Sequence, residues 1–327
     1  MKKASKIILT VVISIICGVL ALLLLVWGGL NIVKYPLYWE YYSVKDDVCI
    51  NPGLYDGFAC QGICADEESG KIFVSGYMMD DSASRIYVTD ENNDSYYVSV
   101  KGMDGKDFTG HSGGLALCGN VIYIASDDAL HFIWLDDILN ADNGETVSIY
   151  ERVKVNNQAS FVYVDDNYIY VGEFHNGKQY ITEHPYNDPD EGMHYAIVSR
   201  YLQGEFAPGG EIDREATPDR IYSIRNKVQG ICFEGGKVVM STSYGLTDSI
   251  YYIYDEGGAT YSGETLDGAP VYFLGECERS FRGPAMSEGL ALYDGKVMTL
   301  TARACDKYIF GKFFFANKIV SLDFNKN

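Results

Sequence analysis

Residues 227–245 read KVQGICFEGGKVVMSTSYG, and residues 60–78 read CQGICADEESGKIFVSGYM. Both open on Gln-Gly-Ile-Cys, turn at glycine, and continue as a short β-rich run that ends in serine and tyrosine. Two such runs joined by a tight Asp-, Gly- or Asn-rich turn form a hairpin. The same design returns in GGLALCGNVIYIASD (113–127), ASFVYVDDNYIYVGEF (159–174) and SEGLALYDGKVMTLTAR (287–303). Self-similarity of this kind marks an array of supersecondary units.

Each hairpin continues into a third strand: SRIYVTD from Ser84, HFIWLDD from His131, HYAIVSRY from His194, SIYYIYD from Ser249 and NKIVSLDF from Asn317. Fourth strands are read at SYYVSV, TVSIYERV and PVYFLGE. The last unit lacks one, and SVKDDVCI, ahead of the first repeat, is the segment that can supply it. The reading is an all-β, five-bladed β-propeller closed by a strand from the opposite end of the chain, which leaves no open sheet edge. Residues 175–226 read as long loops around one strand; a sixth blade there, or an unclosed β-sandwich, is the alternative.

The chain has 327 residues, of which 47% are hydrophobic, 27 are tyrosine and 34 glycine. Its net charge of -19 offers no basic stripe for nucleic acid and disfavours flat adsorption to anionic lipid. Ile7 to Val33 is uncharged and long enough to cross a bilayer as a helix. Lys2, Lys3 and Lys6 precede it, so the positive-inside rule places residues 1–6 in the cytoplasm. The expected organisation is a cytoplasmic tail (1–6), a transmembrane signal anchor (7–33), a juxtamembrane linker (34–43) and an extracytoplasmic propeller (44–327). A cleaved signal peptide is the alternative. Tyr35 to Tyr42, YPLYWEYY, suits the outer headgroup zone.

Of the eight cysteines, Cys17 lies in the apolar run. Cys64 and Cys232 hold the same place in the repeat and read as buried strand residues. Cys49–Cys60 and Cys277–Cys305 are candidate bridges, with the connectivity open. No CxxC pair exists for a zinc ribbon.

In a propeller the loop entering the first strand and the loop leaving the second lie on one face, at the mouth of the central channel. The repeat places Gln61, Gly113, Ala159, Gln229 and Glu288 at equivalent entries, and His111 reaches the same side two residues before Gly113. The second strands end in Ser75, Tyr77, Asp127, Glu173, His175, Ser243, Tyr244 and Arg303. Such varied polar groups at one mouth make a candidate ligand site. Glu288, desolvated there, suits acid/base work, and His111 is a candidate base or metal ligand. The structural alternative is that the amides only satisfy neighbouring blades and that Arg303 or Arg282 pairs with Glu288. Glu173, His175, His184 and His194 are weak metal candidates without a tight motif. The cofactor is open, with a divalent metal as the candidate. Phosphate-loop, dinucleotide and Gly-x-Ser-x-Gly motifs are absent.

QGICADEESGKIFVSGY, GHSGGLAL, YVGEF, VQGICF and STSYG together resemble a loose class of bacterial secreted or surface propellers of unknown activity. More distantly, the Gln-Gly-hydrophobic opening followed by STSYG is similar to the plant-type glutaminyl cyclases, five-bladed propellers that cyclise N-terminal glutamine. SEGLAL resembles that family's Glu-Gly-Leu strand. The resemblance implies Glu288 as catalytic acid/base and Gln61 and Gln229 as axis-lining residues. That family lines its pocket with tryptophan, whereas here only Trp39 and Trp134 follow the apolar run. The leading functional expectation is a membrane-anchored propeller that binds a small polar ligand, glycan or peptide. The alternatives are a cyclotransferase or hydrolase centred on Glu288, and a protein-interaction platform using the Tyr-rich face.

Overall fold

The computed structural model describes residues 2–209, 214–314, 316–324 and 326. Five sheets, antiparallel through their first three strands, follow one another around a ring, and Tyr186–Asp188 pairs with Gly192–His194 in a separate two-stranded sheet. Their inner strands are Phe58–Asp66, Gly114–Cys118, Phe161–Val164, Val228–Glu234 and Ser287–Tyr293. In each blade the second strand pairs with the first and the third with the second. Blade five is closed by Lys45–Ile50, which pairs antiparallel with Lys318–Leu322. The five-bladed expectation and the closing strand SVKDDVCI are both met.

The outer strands depart from the expected scheme in two places. TVSIYERV divides: Thr146–Ser148 adds in parallel to blade one, and Glu151–Lys154 becomes the fourth strand of blade two. PVYFLGE does not edge blade four. Ala269–Phe273 pairs in parallel with Arg220–Ile224 of blade three, and Cys277–Gly283 takes the fourth place in blade four. The reason lies in alternation: Val271 and Phe273 are buried against Ile197 and Ile221 of blade three, where an apolar face is available. CERSFRG exposes Glu278, Ser280 and Arg282 at alternate positions and buries Phe281, as suits a half-exposed edge. Residues 175–226 form no sixth blade; Ala196–Leu202 and Arg220–Ile224 are the third and fourth strands of blade three.

Apolar side chains fill the wedges between neighbouring blades. Phe73, Val88, Ile122 and Ile133 pack between blades one and two, and Ile231, Met240, Leu290 and Val297 between four and five. Each full burial of such a side chain is worth about 1.5–3 kcal/mol. Cys64 and Cys232 are buried as expected. All eight cysteines are free thiols, so neither candidate bridge forms.

Nearest the axis the blades come within backbone contact. A Cβ on Gly62 would lie 2.5 Å from the Leu115 nitrogen, on Gly230 2.6 Å from the Leu290 nitrogen, and on Gly289 3.1 Å from the Ile63 nitrogen. The glycine of the repeat is therefore a steric requirement. Blade three carries Phe161 at this place, and its paired residue is Gly172. A Cβ on Gly172 would lie 2.0 Å from the Phe161 ring, so the glycine has moved to the second strand to seat the phenyl group.

Lys2–Leu37 is one helix, and Ser5–Leu37 is long and apolar enough to cross a membrane, its most apolar 18-residue window having a mean hydropathy of 3.1. The juxtamembrane segment 34–43 is helical through Leu37 and again from Trp39 to Val44. Tyr38 and Tyr41 are buried, Tyr38 donating to Asp248 at 2.7 Å and Tyr41 stacking on Tyr251. Two of the aromatics expected at headgroup level are thus part of the propeller core, because the gap between blades four and five accepts their rings.

Gly172→Ala should lower stability by about 1–3 kcal/mol through overpacking. In a Phe161→Ala background the same change should cost much less, giving a favourable coupling in a double-mutant cycle measured by denaturant unfolding.

Candidate functional site

Over the ring axis, on the face where the inner strands begin, lies a cavity of about 760 Å³ lined from every blade. Blade one contributes Gln61 and Tyr77; blade two His111, Gly113, Ser126 and Asp127. Blade three adds Ala159, Ser160, Phe174 and Tyr180, blade four Gln229, Ser243 and Tyr244, and blade five Glu288, Lys307 and Tyr308.

The three long polar side chains at this mouth share a local cause. The pairing of blade one jumps from Cys60–Gly76 to Ile63–Val74, that of blade four from Val228–Thr242 to Gly230–Ser241, and that of blade five from Ser287–Thr301 to Leu290–Thr299. Each jump is a β-bulge, and each contains Gln61, Gln229 or Glu288. A bulge kinks the strand and re-aims the side chain it carries. Blades two and three have unbroken registers and bring only Gly113 and Ser160 to the equivalent place. Ser160, one residue beyond the expected Ala159, is the true equivalent, because Phe161 occupies the glycine position. Lys227 and Met286 lead into the bulged strands at φ +67° and +64°, a strained turn clamped by Ser243 N–H donating to the Lys227 carbonyl and Ala302 N–H to that of Met286.

Glu288 is 8% exposed, and its carboxyl makes no hydrogen bond to any described residue. Burial pushes its pKa well above the usual 4.5, with the Lys307 charge opposing. Lys307 donates to the Tyr77 hydroxyl and lies 4.7 Å from that ring's centre. Burial, aided by Glu288, raises the Tyr77 phenol to about 12. His111 stands in the mouth with its ring 4.6 Å from that of Tyr77. Desolvation within the mouth, then the Lys307 charge, holds its imidazole below the usual 6.5, although the residue as a whole stands exposed. His111, its pKa lowered, and Glu288, its pKa raised, thus face one cavity. Gln229 donates weakly to the Ser243 carbonyl at 3.5 Å, while Gln61 bends back to the Cys60 carbonyl at 2.7 Å. The Ser126 and Ser243 hydroxyls are buried without a hydrogen-bond partner among the described residues.

Other expected residues lie elsewhere. Ser75 is buried between blades, donating to the Ser112 carbonyl at 2.9 Å. Glu173 points into a second cavity of about 730 Å³ and accepts from His184 at 2.9 Å and from the Ile197 amide at 3.2 Å. Arg303 is buried beneath the N-terminal helix, where Tyr38 and Tyr42 feel its charge. Arg282 pairs with Asp248 at 3.7 Å, not with Glu288. His175 bonds Thr182, and His194 bonds Ser223 and Glu191. The metal candidates therefore do not converge, and no three such donors do so among the described residues.

Lys307 and Tyr308 escaped the sequence reading, although they stand just beyond Arg303 in the loop that leaves a second strand. Following that loop further would have reached them. Tyr180 and Gln179 come from the long blade-three loop and had no positional signal.

No family model and no curated protein matches the chain. Among solved structures it is similar to a glutaminyl cyclase from Myxococcus xanthus, at 7% identity over 85% of this chain and 95% of that one, with TM-score 0.47. It is also similar to an exo-β-1,3-galactanase from Phanerochaete chrysosporium, at 9% identity over 86% and 65% with TM-score 0.45. A putative oxidoreductase (glucose dehydrogenase) from Thermus is similar at 12% identity over 85% and 99%, with TM-score 0.41. These likenesses are too distant to carry an activity across, and the propeller stands on its own hydrogen-bonded sheets.

Because the folded-state pKa of Glu288 is raised, its burial costs nothing below the unfolded value and increasingly more as pH climbs toward the folded one. Glu288→Gln should therefore leave the melting temperature unchanged near pH 4 and raise it at pH 8. The gain should grow by at most about 1.4 kcal/mol per pH unit between the two pKa values. Thermal melts across pH check this.

Proposed function

We propose that the chain is a membrane-anchored propeller, with its N-terminus cytoplasmic and its blades extracytoplasmic, that binds a small polar ligand, glycan or peptide in the axial cavity. The observation that carries this reading is the set of three bulges, each aiming a different long polar side chain at one cavity. Blade packing alone asks only for the glycine that follows. A rim of Tyr77, Tyr180, Tyr244 and Tyr308 offers flat apolar surface with polar tips, the usual lining for sugars and peptides. The orientation rests on Lys2, Lys3 and Lys6.

Acid/base chemistry of cyclotransferase or hydrolase type is the second reading, favoured by the unbonded, buried carboxyl of Glu288. In it Glu288 gives a proton to a leaving or developing oxyanion, and neutral His111 takes one from the attacking group.

The test is a thermal-shift screen of the full chain in detergent against glutaminyl peptides, cell-wall sugars, nucleotides and divalent metals. A ligand at ~100 times its Kd stabilises by about 2.7 kcal/mol. A hit lost in Gln229→Ala supports cavity binding, and a hit unaffected by Gln229→Ala and Gln61→Ala overturns it. For the second reading, Glu288→Gln should keep ligand affinity and abolish turnover; retained turnover excludes that role.

A further inference from the structure

The face that carries the cavity is also the face from which the N-terminal helix leaves. The last turns of that helix pack on residues 306–314, the connection after the second strand of blade five, and that same connection sends Lys307 and Tyr308 into the cavity. Asn31 and Lys34 of the helix are half-buried, and Tyr38, which directly follows it, is buried; three or four residues apart, they mark the side turned to the propeller. Ahead of them Ile7 to Val26 stands wholly exposed. A stretch of that length matches the ~20 residues that cross a bilayer core. Docked in this way, the helix brings the cavity rim up to the membrane boundary with no free tether between.

The cavity face also offers apolar contact. Large apolar side chains stand exposed on its loops: Tyr55 at 72%, Met79 at 49%, Ile181 at 57% and Leu246 at 71%. Leu246 directly follows the cavity residues Tyr244 and Gly245, and Ile181 follows Tyr180. Lys312 lies 4.4 Å from the ring centre of Tyr55, and cation and aromatic both favour a membrane interface. Exposed carboxylates stand on both faces, Asp56, Asp80, Asp81, Asp127, Asp128 and Glu183 on the cavity side and Glu67, Glu91, Asp137, Asp166, Glu256 and Asp294 on the far turns, so the seating rests on the docked helix and the apolar loops and not on charge.

We infer that the cavity face lies on the outer surface of the bilayer in which the helix is anchored, so that the axial cavity opens toward lipid headgroups and takes its ligand from the membrane surface. This rests on the anchored reading above. The test uses the full chain in vesicles of phosphatidylcholine and phosphatidylglycerol with brominated acyl chains, which quench nearby tryptophan. Leu246→Trp and Ile181→Trp should add emission that brominated lipid quenches, beyond the parent's own background. Leu292→Trp, near the far-face turn, should add emission that it leaves intact. If the parent resists alkaline extraction from the vesicles but all three added signals are equally unquenched, the seating of this face is overturned while the anchor stands. If alkali strips the parent from the vesicles, the anchored reading fails and the seating fails with it.

Discussion

Everything near the axis depends on how closely the inner strands approach one another. At Gly62, Gly114 and Gly230 a neighbouring blade's backbone occupies the place of a side chain, and at Gly289 it leaves almost no room for one. Hydroxyls on the second strands fasten this approach: Ser75 donates to the Ser112 carbonyl and Ser241 to that of Glu288. In blades one, four and five the residue before the glycine also sits in a bulge, whereas Gly114 of blade two is as crowded without one. Where glycine and bulge coincide, the position ahead of the glycine turns a long side chain to the cavity.

The repeat made this legible without coordinates. Gln-Gly-Ile-Cys appears twice because the bulge needs glycine and the wedge needs two apolar residues, while the glutamine is free to vary to glutamate in blade five. The axial entries and the closing strand followed from that count. Outer strands followed poorly, since a fourth strand is chosen by which blade offers an apolar face, and the capture of Val271 and Phe273 by blade three is a tertiary choice. Arg303 and Glu173 were misassigned for a related reason. Strand ends alternate in direction, and each was turned by a partner distant in sequence, the helix docking region for one and His184 for the other.

Glu288 and its surroundings form a graded electrostatic site rather than an ion pair. Lys307, exposed and spending its charge on Tyr77, lies near enough to soften the burial of Glu288 but does not bond to it. A low-dielectric wall then holds the proton on the carboxyl. Such a group donates a hydrogen bond where a carboxylate would accept one, so the cavity presents donors on several sides.

The closing strand has a kinetic corollary. Lys45–Ile50 must find Lys318–Leu322 across the whole ring. A contact of such sequence separation carries a large loop-closure entropy, and it forms slowly. In a chain made from its N-terminus the first four blades can fold while this strand stays unpaired, waiting on the final hairpin. The ring thus keeps an unzipped edge until its last blade exists.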